Sequence, residues 1–431
     1  MGSSAPSPAR SRPARRSRAD RAADGQFEFD FDDISSQIRR RNRRVEELTL
    51  GPHAATNEQA RRRRPEPRDV MRTEYERDRH RIIFSRSYRG YRGRTQVFAL
   101  SRYHLSDRMV HVQYVVQISR MIAKALELNT DLTEAIALGH DLGHAPFGHD
   151  GEEFLSQICQ ESGLGAFHHN IHSLRIVDCL ERHGRGLNLT WQVRDGLVSH
   201  DGEVHSIQLR PQRDKTEEDL AAYIQARQAG LPSPMLPATL EGCVMRISDT
   251  VAYIGSDIED AVRVGMVSVS ELPEICRRRL GTTNGQIIET IVKDVIRNSL
   301  DQGFVCFSPE ISDDLRKLKE WNYENIYLKF KRPHDAASRQ WAREVGKMRD
   351  ALRIMFETFV RDLEEGSEES PVYREFLSHM EPAYRDDPAN SPAVVTRDFI
   401  ASLTDADAQR LIIQITVPQP IFMDLPPPET D

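Results

Sequence analysis

Sixteen consecutive positions, GHDLGHAPFGHDGEEF from Gly139 to Phe154, hold His140, Asp141, His144, His149, Asp150, Glu152 and Glu153. Imidazole nitrogens and carboxylate oxygens both donate lone pairs to divalent ions, and an imidazole also exchanges protons near neutral pH, so this density suits metal binding and proton transfer. The stretch opens at the end of an apolar helical run and then breaks at Gly143, Pro146, Gly148 and Gly151. The reactive groups therefore fall where a helix gives way to a tight loop, a place where a rigid scaffold commonly displays them.

His140 and Asp141 are neighbours, and adjacent helical side chains point about 100° apart, so they share one ion only if it lies between them at the helix surface. Mn, Fe, Co, Ni or Zn suits such a donor pair, and Mg suits it where water and phosphate complete the shell. Two donors are too few, and two candidates on other helices stand out. His111, in RMVH, lies on the preceding helix, and an antiparallel hairpin returns His140 to its neighbourhood. Asp249, in RISDTVAYIGSDIEDA, is flanked by Val244, Ile247 and Val251; a carboxylate enclosed by core is costly unless paired or metal-bound. Tyr253 and Asp257 follow at i+4 and i+8, which places all three on one stripe, either a pocket wall or a solvated helix edge. A lone histidine is more often a structural group than a ligand, so the weight rests on the combination.

The elements that must hold these groups read as all-α. Met109, Val112, Val116 and Ala123 fit one stripe of a helix between Asp107 and Leu128; Asn129, Thr130 and Asp131 offer caps for the next, which runs through Leu132, Ile136 and Leu138 to His140. A third helix spans roughly Leu240 to Val264. Trp341, Val345, Met348, Leu352, Met355, Phe359 and Leu363 repeat at four-three spacing as a core stripe. Residues 1–68 contain 16 arginines against 10 acidic residues in low-complexity runs, a composition expected to be mostly disordered; since the whole chain has a net charge of −7, the remainder is strongly acidic. Bulk charge therefore does not recruit nucleic acid to the body, which leaves the Arg-rich N-terminus as the segment able to touch it. FEFDFDDI, Phe27 to Ile34, is an acidic-aromatic patch, residues 206–233 read as a charged, flexible insertion, and PQPIFMDLPPPETD reads as an irregular tail. Five scattered cysteines without a CxxC spacing imply free thiols in a reducing compartment. The absence of a long apolar run implies no membrane span and a cytoplasmic protein.

The pattern H…HD…D resembles the metal-binding pattern of HD-domain phosphohydrolases, with His111, His140, Asp141 and Asp249 at the matching positions. ERDRHRIIFSRSYRGYRGRTQVF (76–98), DRMVH, AIALGHDLGHAPFGHDGEE, FHHNIHSLRIV (167–177), RDGLVSHDG (194–202) and PATLEGCVMRISDTVAYIGSDIEDAV (237–262) are similar to the deoxynucleoside triphosphate triphosphohydrolases within that superfamily. The likeness covers roughly residues 70–265. It implies an HD-domain helical catalytic core over 69–265, preceded by the 1–68 segment and followed by a helical C-terminal region, 266–431, packed on the core and involved in oligomerisation.

The resemblance further implies one divalent ion (Mn, Mg, Co, Fe or Ni) on those four ligands, and hydrolysis of a dNTP such as dGTP to deoxynucleoside and tripolyphosphate. His149 falls at the proton-transferring position with Glu152 orienting it, while His144 and His169 fall where phosphate oxygens are touched. Arg108 matches a phosphate-binding arginine, Tyr253 and Asp257 match sugar-contacting residues, and Gln96 matches a nucleoside-recognising one. A homo-oligomer, up to a hexamer, is the family habit. Two departures bear on this: His168 replaces the usual acid of the FEHN-type motif, and His172 is added. DFIASLTD at 398–405 is the chief remaining likeness beyond Met266. The alternatives are another HD phosphohydrolase, such as a 5′-nucleotidase or guanosine-tetraphosphate hydrolase, and a nucleotide- or nucleic-acid-binding regulator with a vestigial site.

Overall fold

The computed structural model describes residues 32–96, 107–201, 207–329 and 336–418. Helices account for nearly all of its regular structure. Only one two-stranded antiparallel ribbon, β1 (Gln208–Leu209) against β2 (Val305–Cys306), is found among the described residues, in the register Gln208 to Cys306.

The core forms around four helices. α3 (Arg108–Ala125), α4 (Thr130–Gly139), α7 (Trp191–Ser199) and α8 (Leu240–Arg263) pack on one another, with α2 (Glu74–Ile83) laid on α4. Their buried positions are apolar at helical spacing, for example Val112, Val115, Ile118 and Ile122 on α3, which is why the periodicity reads through to the structure. Caps fix the registers that matter most for the site. Asp107 accepts from the Val110 amide to start α3 one residue before Arg108, and Asn129 accepts from the Asp131 and Leu132 amides to start α4; each such cap is worth about 1 kcal/mol.

α5 (Gly148–Glu161) and α6 (His169–Arg175) follow the HD turn. Gly143 lets that turn sit directly on α6, because a Cβ there would lie 2.1 Å from the His169 carbonyl oxygen. The C-terminal region adds α9 (Pro309–Asn322), α10 (Ala336–Glu364), α11 (Pro392–Ser402) and α12 (Asp405–Thr416). Met348, Leu352, Met355 and Phe359 of the expected stripe are buried along α10, which packs on α5 and α11.

The expectation of disorder fails over residues 32–68, and that of a flexible insertion over 207–233. Residues 1–31, and with them most of FEFDFDDI, lie outside the described residues, but α1 (Asp32–Thr49) is helical and the segment after it is built into the core. Arg62 is nearly enclosed, holding Asp78 at 2.5 Å and Glu74 at 2.9 Å, and the Arg61 carbonyl accepts from the Trp191 amide. What reads locally as a solvated arginine run is anchored by carboxylates on α2; removing one partner of such a buried pair costs about 3–5 kcal/mol. Likewise residues 207–233 are structured, with β1, the helix Glu217–Gln228, buried Leu220 and Tyr223, and a buried Lys215–Asp195 ion pair. Most of the expected irregular tail, from residue 419 on, and residues 97–106 lie outside the described residues. All five cysteines are free, and no helix among the described residues is long and apolar enough to cross a membrane.

Candidate metal and phosphate site

The ends of α3, α4, α7 and the middle of α8 converge on one buried cluster. His140, at the C-terminus of α4, donates from Nδ1 to the Ala137 carbonyl at 2.7 Å, which leaves the Nε2 lone pair pointing inward with no hydrogen-bond partner. A backbone acceptor on one ring nitrogen is the usual way a ligating histidine is oriented. That Nε2 lies 3.3 Å from Asp141 Oδ1 and 3.7 Å from Asp249 Oδ1. His111 Nε2 lies 3.0 Å from Asp249 Oδ1 and 3.9 Å from Asp141 Oδ2. Ligand atoms about 2.1 Å from an ion and near right angles to one another stand about 3 Å apart; His111, His140 and Asp141 each offer a donor atom close enough to share one divalent ion, and Asp249 lies beside both histidines.

The electrostatics agree with this fit. Burial pushes both carboxylates toward neutrality, but His140 and Arg108 hold Asp141 well below the usual range, and His111 and His140 do the same for Asp249. The buried Asp141 and the partly buried Asp249, beside a bare imidazole nitrogen, make a donor set suited to a cation. Burial opposes charge on His140 too, yet the Asp141 carboxylate outweighs it and raises that pKa.

A second histidine group surrounds Asp141. His144 Nε2 lies 3.2 Å from Asp141 Oδ1, and its ring stacks on His169 with centroids 3.9 Å apart. Burial, then Arg108 and His169, keep His144 neutral, far below the usual value. His169 is set by Glu152, which accepts from its amide at 2.8 Å and from its Nδ1 at 2.9 Å. Glu152 was expected to orient His149. It turns instead to the N-terminus of α6, where a free amide and the positive helix end favour a carboxylate.

His149 stands at the rim, with its ring exposed to solvent and 5.7 Å from His144. Surrounding protein and then Arg108 lower its pKa, an effect that solvent screens at an exposed ring. Its loop is unusual: Phe147 adopts φ 69°, the left-handed region, which costs a non-glycine residue roughly 1–2 kcal/mol.

Arg108 is fully buried at the start of α3. One Nη reaches Asp141 at 2.5 Å, while Nε and the other Nη have no partner among the described residues. Further along α8, burial raises Asp257 to about 7, and it accepts a hydrogen bond from the Tyr327 hydroxyl. Tyr253, one turn from each of Asp249 and Asp257 along α8, is partly buried against the core. Gln96 is buried, its backbone carbonyl beside Gly148 and its Oε1 without a partner among the described residues.

Two site residues escaped the sequence reading. His200 ends α7, donates from Nδ1 to Leu197 O at 2.7 Å, and brings Nε2 to 3.2 Å from His169 Nε2 and 4.0 Å from Asp141. Burial and then His140 and His169 depress it to about 4. The signal was present: SHDG repeats the helix-ending His-Asp pair of GHDLG. Tyr327, 70 residues from Asp257, has no local signal. The added histidines point elsewhere, His168 to the Arg227 carbonyl and His172 toward Asp398.

A helical core that gathers two histidines, two aspartates and a buried arginine around one ion-sized locus defines a metal-dependent phosphohydrolase of the HD type. The HD domain family matches residues 108–253 of this chain, a span that includes all four metal-ligand candidates. Proteins named deoxyguanosinetriphosphate triphosphohydrolase-like are 36% identical in Caldanaerobacter subterraneus, over 90% of this chain and 98% of that one, and 37% identical in Desulfatibacillum aliphaticivorans, over 64% and 74%. The Bordetella pertussis protein of that name is 30% identical over 81% and 91%. The chain belongs to this deoxyguanosinetriphosphate triphosphohydrolase-like family of HD-domain proteins.

Proposed function

We propose that the protein hydrolyses deoxynucleoside triphosphates to deoxynucleoside and tripolyphosphate. The observation that carries this reading is Arg108. A fully buried guanidinium with two unsatisfied donors beside the metal ligands is stabilised when an anion accepts from them, and its planar fork suits phosphate oxygens.

His111, His140, Asp141 and Asp249 hold the divalent ion, which when bound polarises a phosphoryl oxygen and acidifies water. Arg108 orients the phosphates from the α3 end. His169, raised to about 9 by the Glu152 carboxylate against the opposing effect of burial, carries a positive charge at neutral pH and meets phosphate oxygens from the opposite side. His149, exposed at the rim with a lowered pKa, is neutral at pH 7 and accepts or returns a proton at the substrate. Asp257 accepts from a sugar hydroxyl, and Tyr253, between it and Asp249, packs under the sugar, where a ribose 2′-hydroxyl meets a phenol ring. Gln96 offers its free Oε1 to the nucleoside.

Incubation of the chain with each dNTP and Mn or Mg, followed by anion-exchange separation, tests this. Tripolyphosphate with free deoxynucleoside is expected. Orthophosphate or pyrophosphate would keep the HD site and discard the triphosphohydrolase reading, and nucleotide binding without turnover would favour the regulator.

A further inference from the structure

The region matched by the HD family ends at residue 253, yet the loop that presents His149 is tied to a carboxylate far beyond it. Asp405 opens α12, but that helix does not need it as a cap: Thr404 accepts from the Asp407 amide, and Asp407 returns the bond to the Thr404 amide. The Asp405 carboxylate turns away instead. Its Oδ1 accepts from the Phe147 amide at 2.9 Å, and its Oδ2 from the Thr95 amide at 3.2 Å and the Thr95 hydroxyl at 2.6 Å. Phe147 is the left-handed residue before α5, and α5 has no side-chain cap of its own.

Arg94 completes the tie. Fully buried, it donates to Leu142 O at 2.8 Å in the HD turn, and to Ala401 O and Leu403 O of the α11–α12 junction at 3.1 and 3.2 Å. Gly93 permits the approach, since a Cβ there would lie 2.8 Å from Thr404 Cγ2. Thr95 also bridges Asp107, and the Arg94 carbonyl accepts from the Arg108 amide.

We propose that Asp405, seated by Arg94, is a positioning residue that holds the His149 loop and the Thr95–Gln96 segment in register with each other across the mouth of the HD pocket. The proposal deepens the catalytic reading and rests on it for its rate effect. A carboxylate accepting from two backbone amides and a hydroxyl fixes two chain segments with one group, and a misplacement of about 1 Å at a reacting group lowers rate about 100-fold.

The test compares Asp405→Ala with Asp407→Ala, which removes the carboxylate half of the same helix's capping box and touches neither segment. Amide hydrogen exchange over residues 144–152, metal content and steady-state kinetics with dGTP are measured on the full chain. Asp405→Ala is expected to speed exchange at 147–149 about 10-fold. It should also lower kcat about 10- to 100-fold with the metal retained and KM raised through Gln96. Asp407→Ala should lose similar thermal stability with local exchange and kcat near wild type. Asp405→Asn, which keeps size and one acceptor oxygen, should fall between them and serves if the alanine variant does not fold. Equal exchange in the Asp405 and Asp407 variants overturns the proposal. Exchange needs no substrate, so fast exchange in a protein inert toward dNTPs would sink the catalytic reading and leave the tether standing.

Discussion

His169 and His172 lie one turn apart on α6, and each directs Nδ1 toward a carboxylate, His169 to the partly buried Glu152 at 2.9 Å and His172 to the buried Asp398 at 4.0 Å. Burial opposes charge on both. At His169 the Glu152 carboxylate, joined by Asp201 and Asp141, wins and lifts the pKa to about 9. At His172 burial wins, because Arg397, Arg175 and Arg94 oppose the pull of Asp398 and the pKa falls to about 3. Asp398 is already saturated: Arg175 at 2.6 Å, Arg397 at 2.8 Å and the Tyr384 hydroxyl at 2.8 Å all bind it. A carboxylate neutralised by guanidinium groups holds structure together, while one left to a histidine holds a proton. That difference separates the framework from the pocket.

Exchanging each carboxylate for its amide gives the largest expected effect and the most direct way to break the comparison. Glu152→Gln removes the charge that keeps His169 protonated, so kcat should fall by about 10²- to 10³-fold, with the metal retained because Glu152 touches none of its four candidate ligands. Asp398→Asn should instead leave Arg175 and Arg397 uncompensated. It is expected to cost about 3–5 kcal/mol of stability with a kcat loss far below that of Glu152→Gln. Metal analysis, kcat and urea midpoints on both variants decide it, and an equal loss of rate would erase the distinction.

The two histidines also predict opposite pH windows. His172 has a folded pKa near 3, below the ordinary value of about 6.5. The neutral ring therefore favours the fold above about pH 6.5, and that stability is lost as pH falls toward 3. His169, raised, contributes fully below about 6.5 and loses its contribution as pH rises through 9. His172→Gln should therefore flatten the acid limb of stability by up to ~1.4 kcal/mol per pH unit between about pH 6 and 4. Urea unfolding across that range measures the slope, and an unchanged slope would show that His172 is not the group taking up the proton.

The candidate metal ligands are legible in the sequence because their signals are short-range. His140 and Asp141 are adjacent, Asp249 sits on a helix whose apolar stripe is readable, and His111 is carried by the neighbouring hairpin. What resists reading is what distant segments make by touching. Arg62 looks solvated until α2 brings Asp78 and Glu74 to it, and Glu152 looks like a partner for His149 until α6 offers a free amide. Asp257 likewise gives no hint of Tyr327, nor Phe147 of Asp405, 258 residues on. Local propensity places helices; which polar groups satisfy one another depends on how those helices pack.

A third carboxylate sharpens the comparison with the smallest expected effect. Asp257 has neither a histidine nor an arginine bonded to it. Burial raises it to about 7, Asp260 and Asp249 push the same way, and the Tyr327 hydroxyl, which bonds it, holds it down with help from Arg108. It therefore lies between the two extremes, half ionised near neutral pH, and only the ionised form accepts fully from a sugar hydroxyl. Tyr327→Phe removes the donor, so Asp257 should titrate higher and be mostly protonated at pH 7. KM for dGTP should then rise about 3- to 10-fold, the loss of one hydrogen bond to a charged acceptor, with kcat within about two-fold. As pH climbs past 8 the carboxylate ionises in both proteins and the KM values should draw together. A KM ratio that stays constant across that range would mean that the hydroxyl acts by shape alone and that the Asp257 charge plays no part in holding the sugar.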